Sequence, residues 1–304
     1  MPYTPSDDYY RLERLSWSGY NTYDRCPLAY KKGYVDREPT PHANEYNTIG
    51  GKAIQAVFER FYNDQIWRRG KEVSPILQDL LGKEFRRVCD DSIVDWSAPE
   101  SKLTKEELLD SLRPLIGTTL TVIKDNHFIG KFAKAEVKLQ AWFDKILVHG
   151  IADFVFRRDN SHIILDGKLT KHRKKYLKPD QLVWYVMLFY LQHLLFVDKV
   201  GWVYYTYGEV EWLPVTIADV KRLHADVQAT IANIKKNNFE ATPSTDACRF
   251  CDYAKTCQEG NSANERTTLA RKHTQAAKVK KQYEASGSPL ARETDGIEEI
   301  GFGE

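Results

Sequence analysis

The sequence predicts an α/β fold: a central mixed β-sheet flanked by helices, with a helical insertion and a cysteine cluster that staples the chain. Three observations carry this. Apolar residues recur at helical spacing up to about Asn126 and again from Pro179, whereas from Phe132 to Leu169 the period changes to two. Three of the five cysteines fall within Cys248–Cys257, and the others stand far upstream. With 304 residues, 42% of them hydrophobic, the chain is long enough for a substantial core.

Taken in order, "LSWSGYNTYDRCPLAYKKGYV" reads as a short helix capped by Ser or Asn, carrying Tyr23, Cys26 and Tyr30, with Pro27 unusual inside it. In "NTIGGKAIQAVFERFYNDQIWRRG", Ile54, Val57, Phe58, Phe61 and Tyr62 mark a helix whose start Gly50 and Gly51 let approach a neighbour. Residues 71–126 read as a polar-faced helical insertion. Three strands follow in "KAEVKLQAWFD", "ILVHGIADFVF" and "HIILDGKL", then a helix from Pro179 to Val197, two strands in "GWVYYTYGEVEWLPVTI", and a helix from Ile217 to about Asn237. Residues 1–257 are expected to form one domain. Residues 258–304 are expected to be a polar, largely disordered tail with a helix near "TLARKHTQAAKVKKQYEA".

Composition excludes several classes. A formal charge of +2 means that any nucleic-acid affinity must come from local clusters, and "KLTKHRKKYLK", with Lys171, Arg173, Lys174 and Lys175, is one. The longest apolar run, Leu182 to Val197, is interrupted by Gln192 and His193 and falls short of a membrane span, so a buried helix of a soluble protein is expected, and five unevenly spaced cysteines point to a reducing, cytoplasmic compartment. The "YNTIGGKA" stretch lacks the phosphate loop of a motor, because Tyr46 holds its first glycine position and Ala53 its hydroxyl position.

The chemistry concentrates in "HGIADFVFRRDNSHIILDGKLTK". A two-residue turn at Asp159–Asn160 places Asp153 directly across from Asp166, a turn at Asn160–Ser161 makes them diagonal on the same face, and Lys168 two residues on projects to that face. Two carboxylates about 5 Å apart at Cβ repel unless a cation lies between them. Mg²⁺ suits such a pair, because it takes one or two carboxylates plus waters and a substrate phosphate. An adjacent lysine can then serve an attacking water and stabilise charge on phosphorus. The bland alternative is a strand-end ion pair of Asp166 and Lys168. Gln181 and Tyr185 in "KPDQLVWYVMLFY" stand one turn apart near a helix N-terminus, placed to orient Lys168 or a phosphate.

"ACRFCDYAKTC" supplies Cys248, Cys251 and Cys257, and Cys26 is the candidate for a fourth thiolate. Such a set suits Zn²⁺ or an iron–sulfur cluster, and spacing does not choose between them. Cys89 reads as a core thiol.

These motifs in this order resemble the RecB-type exonuclease branch of the PD-(D/E)XK nuclease superfamily, in particular its cluster-containing members. Its "G-x-(I/V)-D" strand matches "GIAD" at Asp153, its "D-x-K" matches "DGK" at Asp166 and Lys168, and its "Q-x-x-x-Y" helix matches Gln181 and Tyr185. The resemblance implies a restriction-endonuclease-like core and a 4Fe–4S cluster on Cys26, Cys248, Cys251 and Cys257. It further implies Mg²⁺- or Mn²⁺-dependent hydrolysis of DNA, at ends or on single strands, in recombination, repair or phage replication. Glu136 stands where a glutamate often precedes the family's catalytic hairpin. One departure is that "GKAIQ" places Gln55 where the family has a metal-ligating histidine; an amide oxygen still suits a hard cation. An alternative reading is a cluster-stapled nucleic-acid-binding module of weak or lost catalysis. The terminus "DGIEEIGFGE" reads as a solubilising tail, with docking to a recombination or replication partner as its alternative.

Overall fold

The computed structural model describes residues 12–260 except 41–43, 100, 131, 159–160, 171–177 and 250. The chain divides into two compact units, Met1–Glu240 and Ala241–Glu304.

In the first unit a three-residue strand, β1 (Arg14–Ser16), leads into α1 (Trp17–Arg25), where the Ser16 side chain caps the helix by accepting from the Gly19 N–H at 3.1 Å. Pro27 explains why the single expected helix is two. Its ring excludes helical geometry at Cys26, which is extended (φ −163°, ψ 108°), and it opens α2 (Pro27–Tyr30) at a first-turn position that needs no N–H. Helix α3 (Tyr46–Asn63) buries Ile49, Ile54, Val57, Phe58 and Phe61 on one face. The expected helical insertion forms α4 (Val73–Asp90) and α5 (Lys105–Asp125).

The sheet contains β1, β2 (Lys134–Phe143), β3 (Ile146–Arg158), β4 (Ser161–Lys168), β5 (Lys199–Tyr204) and β6 (Glu209–Leu213). Parallel pairing of β1 with β3 and of β4 with β5, among otherwise antiparallel neighbours, makes it mixed. Between β4 and β5 runs α6 (Pro179–His193), and α7 (Ile217–Lys235) follows β6. Helix α6 is buried continuously from Leu182 to Phe189, each such side chain contributing about 2 kcal/mol of burial. It stops before the expected Val197, because Leu194 adopts a left-handed conformation (φ 56°) with its N–H bonded to the Tyr190 carbonyl. No helix among the described residues is long and apolar enough to cross a membrane.

Two cores sandwich the sheet. One joins α1, α6 and α7 to residues such as Leu139, Val148, Ala152 and Ile164; the other joins α3, α4 and α5 to Ala135, Phe154, Phe156 and Leu165. Ala135 and Leu139 share strand parity yet face different cores, as do Ala152 and Phe154. A period-two strand does this only if it turns over, and Glu136, at φ 52°, marks the place in β2.

The second unit contributes α8 (Thr245–Arg249) and the turns that follow it, with Ala247, Tyr253 and Ala254 buried.

Candidate active site

The site begins where the β3–β4 hairpin parts. Its ladder runs from Arg158↔Ser161 to Phe154↔Leu165, the register a turn at Asp159–Asn160 predicts, although these two turn residues lie outside the described ones. One row further on stand Asp153 and Asp166, and there a side chain replaces the backbone acceptor: the Gly167 N–H donates to Asp153 Oδ2 at 2.7 Å. On the other edge of β3, the pairs Ala135↔Phe154 and Val137↔Ala152 flank Glu136, which opposes Asp153 outside the ladder. Glu136, Asp153 and Asp166 therefore form a row across three neighbouring strands.

Because β2 follows one edge of β3, β1 and β4 must share the other. β1 takes residues 147–149 and β4 takes 154–158. The stretch 150–153 between them has no strand along that edge among the described residues, and α6 fills the gap. Gly150 permits this approach, because a Cβ there would lie 3.1 Å from Trp184 Nε1 and 3.2 Å from Tyr185 Cε1. Trp184 is fully buried in the core and donates to the His149 carbonyl at 3.2 Å.

Pro179 opens α6 so that Gln181 lies in its first turn, against the end of β4. Gln181 Nε2 donates to Asp166 Oδ1 at 3.2 Å and to Tyr185 Oη at 3.1 Å, while its Oε1 accepts from Lys168 Nζ at 3.4 Å. Lys168 also makes an ion pair with Asp166 Oδ2. The site residues Asp153, Asp166, Lys168, Gln181 and Tyr185 are thus brought together.

From the opposite core, α3 contributes Gln55. Its Nε2 donates to Glu136 Oε1 at 3.0 Å, and its Oε1 accepts from Tyr205 Oη at 2.7 Å. Tyr205, just past β5, is 1% exposed, and a Cβ on Gly167 would run into its hydroxyl. Tyr205 lies in none of the sequence motifs. The signal for it was the glycine of "DGK", which on a buried strand marks a close approach.

Burial and the neighbouring Asp166 charge push the Asp153 carboxyl well above the usual range, against the Gly167 hydrogen bond and Lys168. Burial also raises Asp166, against the Lys168 ammonium. Asp166 is buried, and its Oδ2 is paired with the Lys168 ammonium. Asp153 beside it is half-buried, and two adjacent carboxylates that repel one another form a donor set that a hard divalent cation satisfies, so the residues fit such an ion. Burial, with the charges of Asp153 and Asp166, likewise raises Tyr205 and Tyr185, which therefore act as neutral hydroxyls.

The cysteines are different. All four proposed ligands are half-buried. Among the described residues no three His, Cys, Asp or Glu side chains are gathered as a metal-binding group. In the second unit Cys257 Sγ donates to Glu259 Oε2 at 3.2 Å. Cys89 packs beside the second core, and burial raises its thiol. The proposed DNA contacts Lys171, Arg173, Lys174 and Lys175 lie outside the described residues, as does the tail from residue 261.

The class is that of α/β cores in which helices flank a central mixed sheet, here broken at an acidic row with a lysine beside it. Residues 14–258 match the family model of the PD-(D/E)XK nuclease superfamily, and the chain belongs to that superfamily. Among solved structures it is similar to a protein from Eubacterium rectale named "Putative exonuclease", with 12% identity, 85% of this chain and 94% of that chain covered, and a TM-score of 0.47. It is also similar to the protein SSO0001, with 15% identity, 84% and 88% covered, and a TM-score of 0.36. No curated protein sequence matches the chain.

Proposed function

We propose that the chain is a divalent-metal-dependent deoxyribonuclease of the exonuclease type, in which Asp153 and Asp166 hold Mg²⁺ or Mn²⁺. The observation that carries this reading is the convergence of Asp153, Asp166, Lys168 and Gln181 on one face of the parted hairpin, in a chain of nuclease descent. A bound Mg²⁺ or Mn²⁺ supplies Lewis-acid polarisation of the scissile phosphate. Lys168 serves the attacking water and stabilises charge that builds on phosphorus. Gln181, braced by Tyr185, keeps the Lys168 ammonium and the Asp166 carboxylate in register. Lys171, Arg173, Lys174 and Lys175 hold backbone phosphates of DNA, with affinity falling as salt rises.

The test is to incubate anaerobically purified protein with end-labelled single- and double-stranded DNA plus Mg²⁺ or Mn²⁺, beside Asp166→Ala and Lys168→Ala. Metal-dependent degradation lost in both variants is the expected result. Intact DNA under every condition, from a folded protein, leaves a nucleic-acid-binding module instead.

The RecB-type reading adds a 4Fe–4S staple on Cys26, Cys248, Cys251 and Cys257, with Zn²⁺ as the alternative occupant. It rests on the cysteine spacing, C-x2-C-x5-C at Cys248, Cys251 and Cys257 with Cys26 far upstream, which suits metal chemistry in a reducing, cytoplasmic setting. Iron and acid-labile sulfide measured on the anaerobic protein, lost in Cys251→Ser, is the expected outcome; neither iron nor zinc removes the staple.

A further inference from the structure

The position at which the family places a metal-ligating histidine is held here by an amide whose two ends are both engaged. Tyr205 Oη donates to Gln55 Oε1 at 2.7 Å, which fixes the amide orientation, and the opposite Nε2 then donates to Glu136 Oε1 at 3.0 Å. The chain of contacts joins three elements: the end of β5, helix α3 and the turned-over residue of β2. Its anchor is rigid. The Tyr205 ring stacks on Phe58, with centroids 6.0 Å apart, and its hydroxyl occupies the space that a side chain at position 167 would fill. Its far end is strained, since Glu136 holds a left-handed φ of 52° opposite Asp153, a conformation that a non-glycine residue keeps only when neighbours impose it.

On the reading of Asp153 and Asp166 as the cation pair, we infer that Tyr205 and Gln55 are positioning residues that hold Glu136 as a third, outer carboxylate of the cation site. Gln55 then acts on the metal through Glu136 and not as a ligand replacing histidine. Several observations favour this. The Gln55 oxygen already accepts from a buried hydroxyl, and its NH₂ end, which cannot ligate a cation, is the end that meets the acidic row. Glu136 stands opposite Asp153, between the pairs Ala135↔Phe154 and Val137↔Ala152, and so lies in the same row as the cation pair. A cation held by the pair would have Glu136 as a neighbouring carboxylate beyond its own ligands.

The experiment is calorimetric titration of metal-free protein with Mg²⁺ alone and Mn²⁺ alone, for the native chain, Tyr205→Phe, Gln55→Leu, their double variant, Gln55→His and Asp166→Ala. Thermal unfolding of each metal-free protein serves as the control for fold. Tyr205→Phe keeps the ring and its stacking, so its metal-free unfolding temperature should stay close to native. Its metal affinity should fall about 10-fold, the scale on which lost outer support weakens a metal site. Gln55→Leu should fall similarly, and the double variant should lose no more than Gln55→Leu alone, because both cut one chain of contacts. Gln55→His should bind no more tightly than the native chain.

Native affinity in Tyr205→Phe, losses that multiply in the double variant, or tighter binding in Gln55→His would each overturn the inference. If Tyr205→Phe does not fold, the cycle of Gln55→Leu against Glu136→Gln takes its place, and multiplying losses there overturn it equally. Asp166→Ala separates the two levels. Loss of metal binding in that variant keeps the cation pair whatever happens at Tyr205, whereas native binding in it removes the pair itself.

Discussion

The Gly167 N–H donates to the Asp153 carboxylate at 2.7 Å, so the first row beyond the β3–β4 ladder is closed by a side chain rather than by the backbone. This contact draws the tip of β4 toward Asp153, and it leaves Gly167 against Tyr205. A Cβ at position 167 would lie 2.6 Å from Tyr205 Cζ and still nearer its hydroxyl. Gly167→Ala is therefore expected to cost about 1–3 kcal/mol of stability, the usual range for forcing a methyl into a packed site. Urea unfolding measures it. The loss should shrink in a Tyr205→Phe background, where the nearest clashing atom is gone; an equal loss in both backgrounds would place the strain elsewhere.

The acidic pair also sets a pH dependence. In the folded, metal-free protein Asp153 is raised well above 3.8, first by burial and then by Asp166, so the fold binds a proton that the unfolded chain has already released. Stability from this group is full below the unfolded value and is lost as pH rises through the raised one. Metal-free protein should accordingly become less stable as pH climbs from the ordinary carboxylate range toward neutrality. Asp153→Asn should flatten that slope while abolishing the stabilisation that added Mg²⁺ gives the native chain. Thermal unfolding across pH, with and without Mg²⁺, reads both effects; a slope unchanged in Asp153→Asn would refute the assignment.

Gln181 is the next lever. Its amide spans Asp166, Lys168 and Tyr185, and no other described side chain hydrogen-bonds Asp166 Oδ1. Gln181→Ala should lower kcat by about 10- to 100-fold with little change in unfolding temperature. Tyr185→Phe, which removes only the brace on Gln181, should cost less. The order of the two rates in a single-turnover DNA assay decides, and a larger loss in Tyr185→Phe would reverse the hierarchy.

The hairpin was legible because strand alternation keeps Asp153 and Asp166 on one face whether the two-residue turn falls at Asp159–Asn160 or at Asn160–Ser161; the observed ladder is the register of the first. Gln181 and Tyr185 were legible as a pair one helical turn apart. Other parts rest on long-range contacts that local patterns do not encode. Tyr205 meets Gln55 across 150 positions of sequence, and nothing near either residue announces the bond. β1 is three residues long, too short to show a period, and it exists because β3 offers it an edge. The break at Pro27 follows from local sterics and was within reach of the sequence; only the assumption of a single helix hid it.

A final prediction separates fold from chemistry. Helix α5 begins with a capping box: Thr104 Oγ1 accepts from the Glu107 N–H at 3.2 Å, and Glu107 Oε2 accepts in return from the Thr104 N–H at 2.8 Å. Two N–H groups at the helix start depend on these side chains, and removing one such cap costs about 1 kcal/mol. Through Leu112 and Ile116, α5 packs into the core shared with α3, yet it supplies no side chain to the acidic row. Thr104→Ala should lower stability by about that amount and leave kcat unchanged well below the unfolding temperature, the reverse of the pattern expected for Gln181→Ala. Denaturant unfolding and the DNA assay, run on the two variants side by side, check it. If Thr104→Ala impaired catalysis at full occupancy of the native state, the helical insertion would have to act on the site directly, through the α3 residues that carry Gln55.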